Sequence, residues 1–222
     1  MNIDVVGLIQ LIALAAIPVT FAITVHEAAH GYAARYFGDR TAEMAGRISL
    51  NPLRHIDLIG TIAVPLVILL ASKLVGGGML FGWAKPVPVN FGKLRNPKAD
   101  MLWVAAAGPG ANLAMALLWA VILKIAQLAP ATYFSLPLAG MAEIGITINI
   151  VLMVLNLLPL PPLDGGRIAV SLLPSKLAWR FAMLEPYGLI ILLLLLVSGT
   201  LRTVLSPFIG AALRAVGTAF NF

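Results

Sequence analysis

The sequence predicts an α-helical polytopic membrane protein, and three observations lead to that fold class. Of 222 residues, 60% are hydrophobic and 11% are charged, against about 25% charged in soluble domains. Several apolar runs reach or approach the roughly 20 residues that a helix needs to cross a bilayer core. The basic residues, which give a net charge of +6, gather between these runs, as positive-inside topology requires. That distribution also argues against nucleic acid as a partner. The absence of cysteine excludes disulfides, thiolate metal sites and cysteine nucleophiles.

The apolar spans are expected at about residues 5–36, 101–127, 140–160 and 187–201. Residues 5–25 carry no charge, have no basic residue ahead of them and lack a small-residue cleavage site. They read as a retained helix rather than a removed signal, and the helix is expected to continue to Tyr36. Ala45-Gly46-Arg47-Ile48-Ser49-Leu50 alternates like a short strand before the Asn51-Pro52 break. Residues 58–72 are apolar but short and interrupted by Pro65, so a re-entrant or partial segment is expected. After the flexible joint Gly76-Gly77-Gly78, residues 81–89 read as a proline-bearing edge strand. With Ala45–Leu50 it would form a small membrane-associated β-sheet or hairpin. The tail beyond residue 201 reads as short and moderately apolar, with Arg202 and Arg214. No repeat or detachable soluble domain is visible, so residues 1–222 read as one integral membrane domain.

His26-Glu27-Ala28-Ala29-His30 is an H-E-x-x-H pattern inside an apolar helix. Residues four apart share a helix face, so both imidazoles can reach one tetrahedral Zn²⁺ at roughly 2.0 to 2.1 Å. Glu27 sits where it can take a proton from metal-bound water. The chain has three histidines and nine acidic residues, and two of those histidines and one acid meet here, where ionisable groups are expensive. The bland alternative is a helix end surfacing at the headgroups, where such residues cost little. Converging metal-site residues favour hydrolysis over a metal-ion transporter, which would spread polar residues along a path.

Catalytic zinc normally has three protein ligands, so a third is sought. Asp164 follows the proline-rich Pro159-Leu160-Pro161-Pro162-Leu163, an irregular stretch tolerated at membrane depth only against protein or a water-filled cavity. His55 and Asp57 are the rivals, on a loop. His30 and Asp164 can share a metal only if an even number of crossings separates them. The spans at 101–127 and 140–160 already make two, so 58–72 must not cross. The basic residues from Arg35 to Lys98 and from Arg167 to Arg180 then lie on one side, while 128–139 has none. By the positive-inside rule the metal lies toward the cytoplasm.

Trp83, Lys85 and Val87 lie on the expected edge strand and are candidates for binding substrate by strand addition, or for a structural role. Asn112, after Gly108-Pro109-Gly110-Ala111, can serve substrate or helix packing, with packing favoured for Gly108 and Ala111.

Taken in order, these residues resemble the site-2 proteases, intramembrane zinc metalloproteases. The likeness runs from His26-Glu27-Ala28-Ala29-His30 through Gly108-Pro109-Gly110-Ala111-Asn112 and Asn156-Leu157-Leu158-Pro159 to Leu163-Asp164-Gly165-Gly166. It is strongest to the small prokaryotic branch, which has segments like Gly46-Arg47-Ile48-Ser49-Leu50-Asn51-Pro52 and Phe81-Gly82-Trp83-Ala84-Lys85-Pro86-Val87-Pro88. The resemblance implies a three-helix core carrying His26, Asn112 and Asp164, plus accessory helices. It implies one Zn²⁺ on His26, His30 and Asp164, Glu27 as general base, and Asn156 as a catalytic residue that positions substrate or stabilises the oxyanion. It further implies a multi-pass protein of a prokaryotic cell membrane that cuts a transmembrane protein, as in regulated intramembrane proteolysis. The PDZ or nucleotide-binding domains of many relatives have no counterpart in this sequence. A proteolytically inactive membrane chaperone on the same fold is the remaining rival, and the oligomeric state is not fixed by the sequence.

Overall fold

The computed structural model describes residues 5–55, 57, 60 and 85–222. In chain order the helices are α1 (Val5–Tyr36), α2 (Thr41–Met44), α3 (Pro97–Leu128), α4 (Ser135–Asn156), α5 (Asp164–Leu172), α6 (Ser175–Ala182), α7 (Glu185–Val197) and α8 (Thr200–Phe220). Four of these, α1, α3, α4 and α8, are long and apolar enough to cross a membrane.

α1, α3 and α4 pack against one another as a three-helix bundle, which α8 joins along α4. Small residues make the close approach possible, as expected where lipid offers no hydrophobic drive for helix association. Ala22, Ala28 and Ala34 of α1 and Ala116 and Ala120 of α3 are buried. A side chain at Gly145 of α4 would put its Cβ 2.4 Å from the Trp119 ring of α3. Trp119, Leu123, Ile146, Ile150 and Val216 fill the core formed by α3, α4 and α8.

The first three expected spans coincide with α1, α3 and α4, within a few residues at each end. The fourth falls on α7 within four residues at each end, but α7 alone is not of spanning length. α7 is only 13 residues long, and it meets α6 at a bend of 62°. The chain then turns at Gly199 (φ +74°) into α8, a fourth span within the tail that reads as short. Arg202, Arg214 and Pro207 mask α8 in a hydropathy reading, while Leu201, Leu205 and Val216 form its buried stripe.

The expected β-sheet is corrected: no strand occurs among the described residues. Gly46 has φ +62°, and the N–H groups of Gly46 and Arg47 close a helix end by donating to Glu43 O and Ala42 O. Residues 85–90 are bonded mainly to side chains. Val87 N–H donates to Glu27 Oε2 (2.7 Å) and Asn90 N–H to Asp39 Oδ2 (2.6 Å), while Lys85 N–H reaches the backbone at His55 O (2.9 Å). Pro86 and Pro88 have no N–H to give, and no ladder forms among the described residues. Trp83 and the segment 58–72, apart from Gly60, lie outside the described residues.

Arg95 N–H donates to Phe37 O at 3.0 Å, so the chain enters α3 at the same end of the bundle where it leaves α1. Asp39 fastens this junction. It is fully buried and accepts from the Thr41 hydroxyl and N–H and from Asn90 N–H. Burial alone would raise its pKa, but those hydrogen bonds, with the Lys93 charge, hold it below its ordinary value of 3.8. A depressed carboxylate adds stability that is fully present above the unfolded pKa and lost as pH falls through the folded one. Asp39→Ala is therefore expected to cost about 1–3 kcal/mol at pH 7 by stranding buried donors. Melting curves at pH 7 and in mild acid should show the difference from wild type shrinking on acidification.

Candidate metal centre

The site forms where a ridge of α1 meets a ridge of α3. Ala22, His26 and His30 recur every four residues on α1, as do Val104, Gly108 and Asn112 on α3, so each set lines one helix face. The helices run antiparallel. His30 Nδ1 donates to Val104 O at 2.7 Å, and His26 Nδ1 donates to Asn112 Oδ1 at 2.6 Å. Asn112 is held in turn, because its Nδ2 donates to Ala22 O (3.2 Å) and to Asn149 Oδ1 (2.9 Å). Gly108 faces both rings: a Cβ there would lie 2.4 Å from His30 Nε2 and 2.5 Å from His26 Cε1.

With both Nδ1 atoms donating, the neutral imidazoles direct the Nε2 lone pairs into the site. These two atoms are 3.1 Å apart. Asp164, the first residue of α5, straddles them, with Oδ2 3.3 Å from His26 Nε2 and Oδ1 3.3 Å from His30 Nε2. Oδ2 is buried without a hydrogen-bond donor. Two imidazole nitrogens and two carboxylate oxygens thus converge, an arrangement that repels itself unless a proton or a metal cation lies among them. A tetrahedral ion bonded at about 2.0 to 2.1 Å needs donors about 3.3 to 3.4 Å apart; the two Nε2 atoms are 3.1 Å apart, and each has a carboxylate oxygen of Asp164 at 3.3 Å. His26, His30 and Asp164 together can hold a metal ion.

The rivals for third ligand do not reach this cluster. His55 Nε2 bonds Ser49 O at 2.8 Å, and Asp57 Oδ1 accepts from Gly60 N–H at 2.7 Å.

A cavity of about 560 Å³ opens beside the cluster. Glu27, Val87 and Asn156 line it together with the three possible ligands. Asn156 Nδ2 donates to Leu152 O at 3.0 Å. Lys85 is exposed and Asn112 is buried, and neither lines the cavity. Asn112 orients His26, a role outside the two weighed from the sequence. At the rim Arg167 Nη2 donates to Glu185 Oε1 at 3.0 Å, and the guanidinium lies 4.8 Å from the centre of the Phe91 ring. Arg167, Glu185, Phe91 and the apolar wall of Leu155, Leu189 and Leu192 were not singled out from the sequence. Arg167, three residues after Asp164, carried a usable signal because that spacing puts both on one helix face.

Comparison with known proteins agrees with this geometry. The model of peptidase family M50 matches residues 123–196. A Bacillus subtilis (strain 168) protein named "Putative zinc metalloprotease YwhC" is 38% identical over 201 residues, covering 89% of this chain and 86% of its own. The chain belongs to peptidase family M50, the site-2 protease family. Proteins named "Putative zinc metalloprotease Rip2" from Mycolicibacterium smegmatis and Mycobacterium tuberculosis H37Rv are each 29% identical, over 181 and 180 residues. Each alignment covers 81% of this chain but only 65% of the Rip2 relative. No solved structure matches. As an M50 member with four spanning-length apolar helices, the chain is membrane-integral.

Proposed function

We propose that this M50 member is a zinc metalloendopeptidase that hydrolyses a peptide bond within or near a transmembrane segment of another protein. The observation that carries the reading is the convergence of His26, His30 and Asp164 beside a cavity that Glu27 also lines. These three side chains would hold the zinc. Zinc bound there supplies Lewis acidity, which makes water acidic near neutral pH and polarises a carbonyl.

The other groups act around that centre. Asn112 and Val104 O fix the His26 and His30 tautomers, as partners of metal-ligating imidazoles do. Glu27 takes a proton from the attacking water and returns it to the leaving amine. Its Oε2 is held by Val87 N–H, which leaves Oε1 for the proton. Asn156 meets the scissile segment from the α4 side of the cavity. Val87 serves the site through Glu27 rather than as part of a substrate-capturing strand. The apolar wall suits an unwound stretch of membrane helix. In the cell, the metal end faces the cytoplasm, and the cleavage belongs to regulated proteolysis of membrane proteins.

The test is cleavage of a transmembrane peptide by the purified protein in lipid vesicles. Hydrolysis should stop when a chelator removes the metal and return when zinc is added, and chelator-resistant cleavage would refute the proposal. For orientation, single cysteines at Lys93 and Tyr133 should label from opposite faces, Lys93 from the cytoplasm.

A further inference from the structure

Asp164 opens α5 directly after the irregular loop 157–163, and that loop's seat sets where the carboxylate meets the two histidines of α1. The first turn of α5 packs on that loop through Gly165 and Gly166, where a Cβ would lie 2.3 Å from Leu157 O and 2.4 Å from Pro161 N. The same loop meets Gly188 of α7, 24 residues beyond Asp164. A Cβ at Gly188 would fall 1.6 Å from Pro161 O and 2.6 Å from Pro162 Cδ. This contact is tighter than the one at Gly108 and involves backbone, which cannot swing aside as a side chain can. Leu192, one turn along α7, shares an apolar cluster with Leu158, Leu160 and Leu163 of the same loop. The loop is thus packed closely on both α5 and α7.

We infer that Gly188 is a positioning residue for the metal-binding carboxylate: by letting α7 lie directly on Pro161 and Pro162, it sets where Asp164 meets His26 and His30. The inference rests on the metal-centre reading above. α7, too short to cross the membrane by itself, is then the element that backs the third ligand.

The experiment compares Gly188→Ala with Leu123→Ala, a lesion in the buried α3–α4–α8 core, and with His26→Ala. Zinc affinity and the zinc-induced rise in melting temperature are measured on the full chain in detergent. Gly188→Ala should weaken zinc binding on the order of 10- to 100-fold, the scale seen when groups that orient ligands are lost. It should also change the visible spectrum of the cobalt-loaded protein. Leu123→Ala should melt earlier yet keep the wild-type zinc-induced rise, which a merely structural role for Gly188 would share. Wild-type zinc affinity and cobalt spectrum in Gly188→Ala, with metal lost in His26→Ala, would overturn the role of Gly188 alone. Retention of metal by His26→Ala would overturn the metal-centre reading and this inference with it. Should Gly188→Ala not fold, Leu192→Ala loosens the same seat without inserting an atom. A several-fold loss of zinc affinity there supports the inference, and none refutes it.

Discussion

Glu27→Gln is expected to lower peptide hydrolysis by about 10²- to 10⁴-fold, the contribution of a positioned general base, while one zinc per chain remains bound. The substitution isolates chemistry from structure. Glutamine has the same shape and keeps an oxygen that can accept the Val87 N–H, now held at 2.7 Å, but it cannot take a proton from water. Glu27→Ala would be a poorer test, because stranding that N–H costs about 1–3 kcal/mol by itself. Glu27 is not among the three residues that can share a metal, so zinc content should be unchanged. The measurement pairs elemental analysis with the rate of cleavage of a transmembrane peptide. Undiminished cleavage would eliminate Glu27 as the base. A wild-type protein that binds zinc and cleaves no membrane peptide at all would point to the inactive-chaperone alternative.

Legibility from the sequence follows the range of the interactions. His26 and His30 are four residues apart on one helix, and a period of 3.6 fixes their common face without any knowledge of the fold. The spans α1, α3 and α4 are equally local, since the bilayer imposes their length and composition. Asp164 is more distant, yet membrane sidedness limits which residues can reach the histidines, and the structure brings it to 3.3 Å from both. The expected β-sheet is absent among the described residues because alternation along Ala45–Leu50 and residues 85–89 speaks only of side-chain polarity. It does not say that Glu27 and Asp39 claim the N–H groups of Val87 and Asn90. The further span α8, beyond the last apolar run, depends on a left-handed Gly199, which a hydropathy reading passes over. Gly188 was illegible for another reason. Its significance lies wholly in a contact with Pro161, 27 residues away, and a glycine in an apolar helix is otherwise unremarked.

Gly108→Ala should all but abolish zinc binding, whereas Gly110→Ala, two residues further on, should leave it intact. The chemical change is the same, one methyl group on one helix, so the surroundings alone decide the outcome. At Gly108 the new carbon would lie 2.4 Å from His30 Nε2, 2.5 Å from His26 Cε1 and 2.7 Å from His26 Nε2. The backbone of α3 is held by close packing on both α1 and α4, with Gly145 against Trp119. The imidazoles must therefore turn, and turning breaks the bonds from their Nδ1 atoms to Asn112 and Val104 O. Losing one such orienting bond costs about 10- to 100-fold in metal affinity, and displacing two ligands together should exceed that range. At Gly110 nothing lies within 4 Å of the added carbon. Alanine is the better helix former there, by about 1 kcal/mol in water, so stability should hold or rise slightly. Zinc titration and thermal melting of both variants check this. Gly108→Ala should lose the zinc-induced rise in melting temperature, while its metal-free form melts only modestly early, as overpacking of about 1–3 kcal/mol would give. Equal zinc affinity in the two variants would mean that α3 does not press on the imidazoles, and the close approach at Gly108 would have no part in the centre.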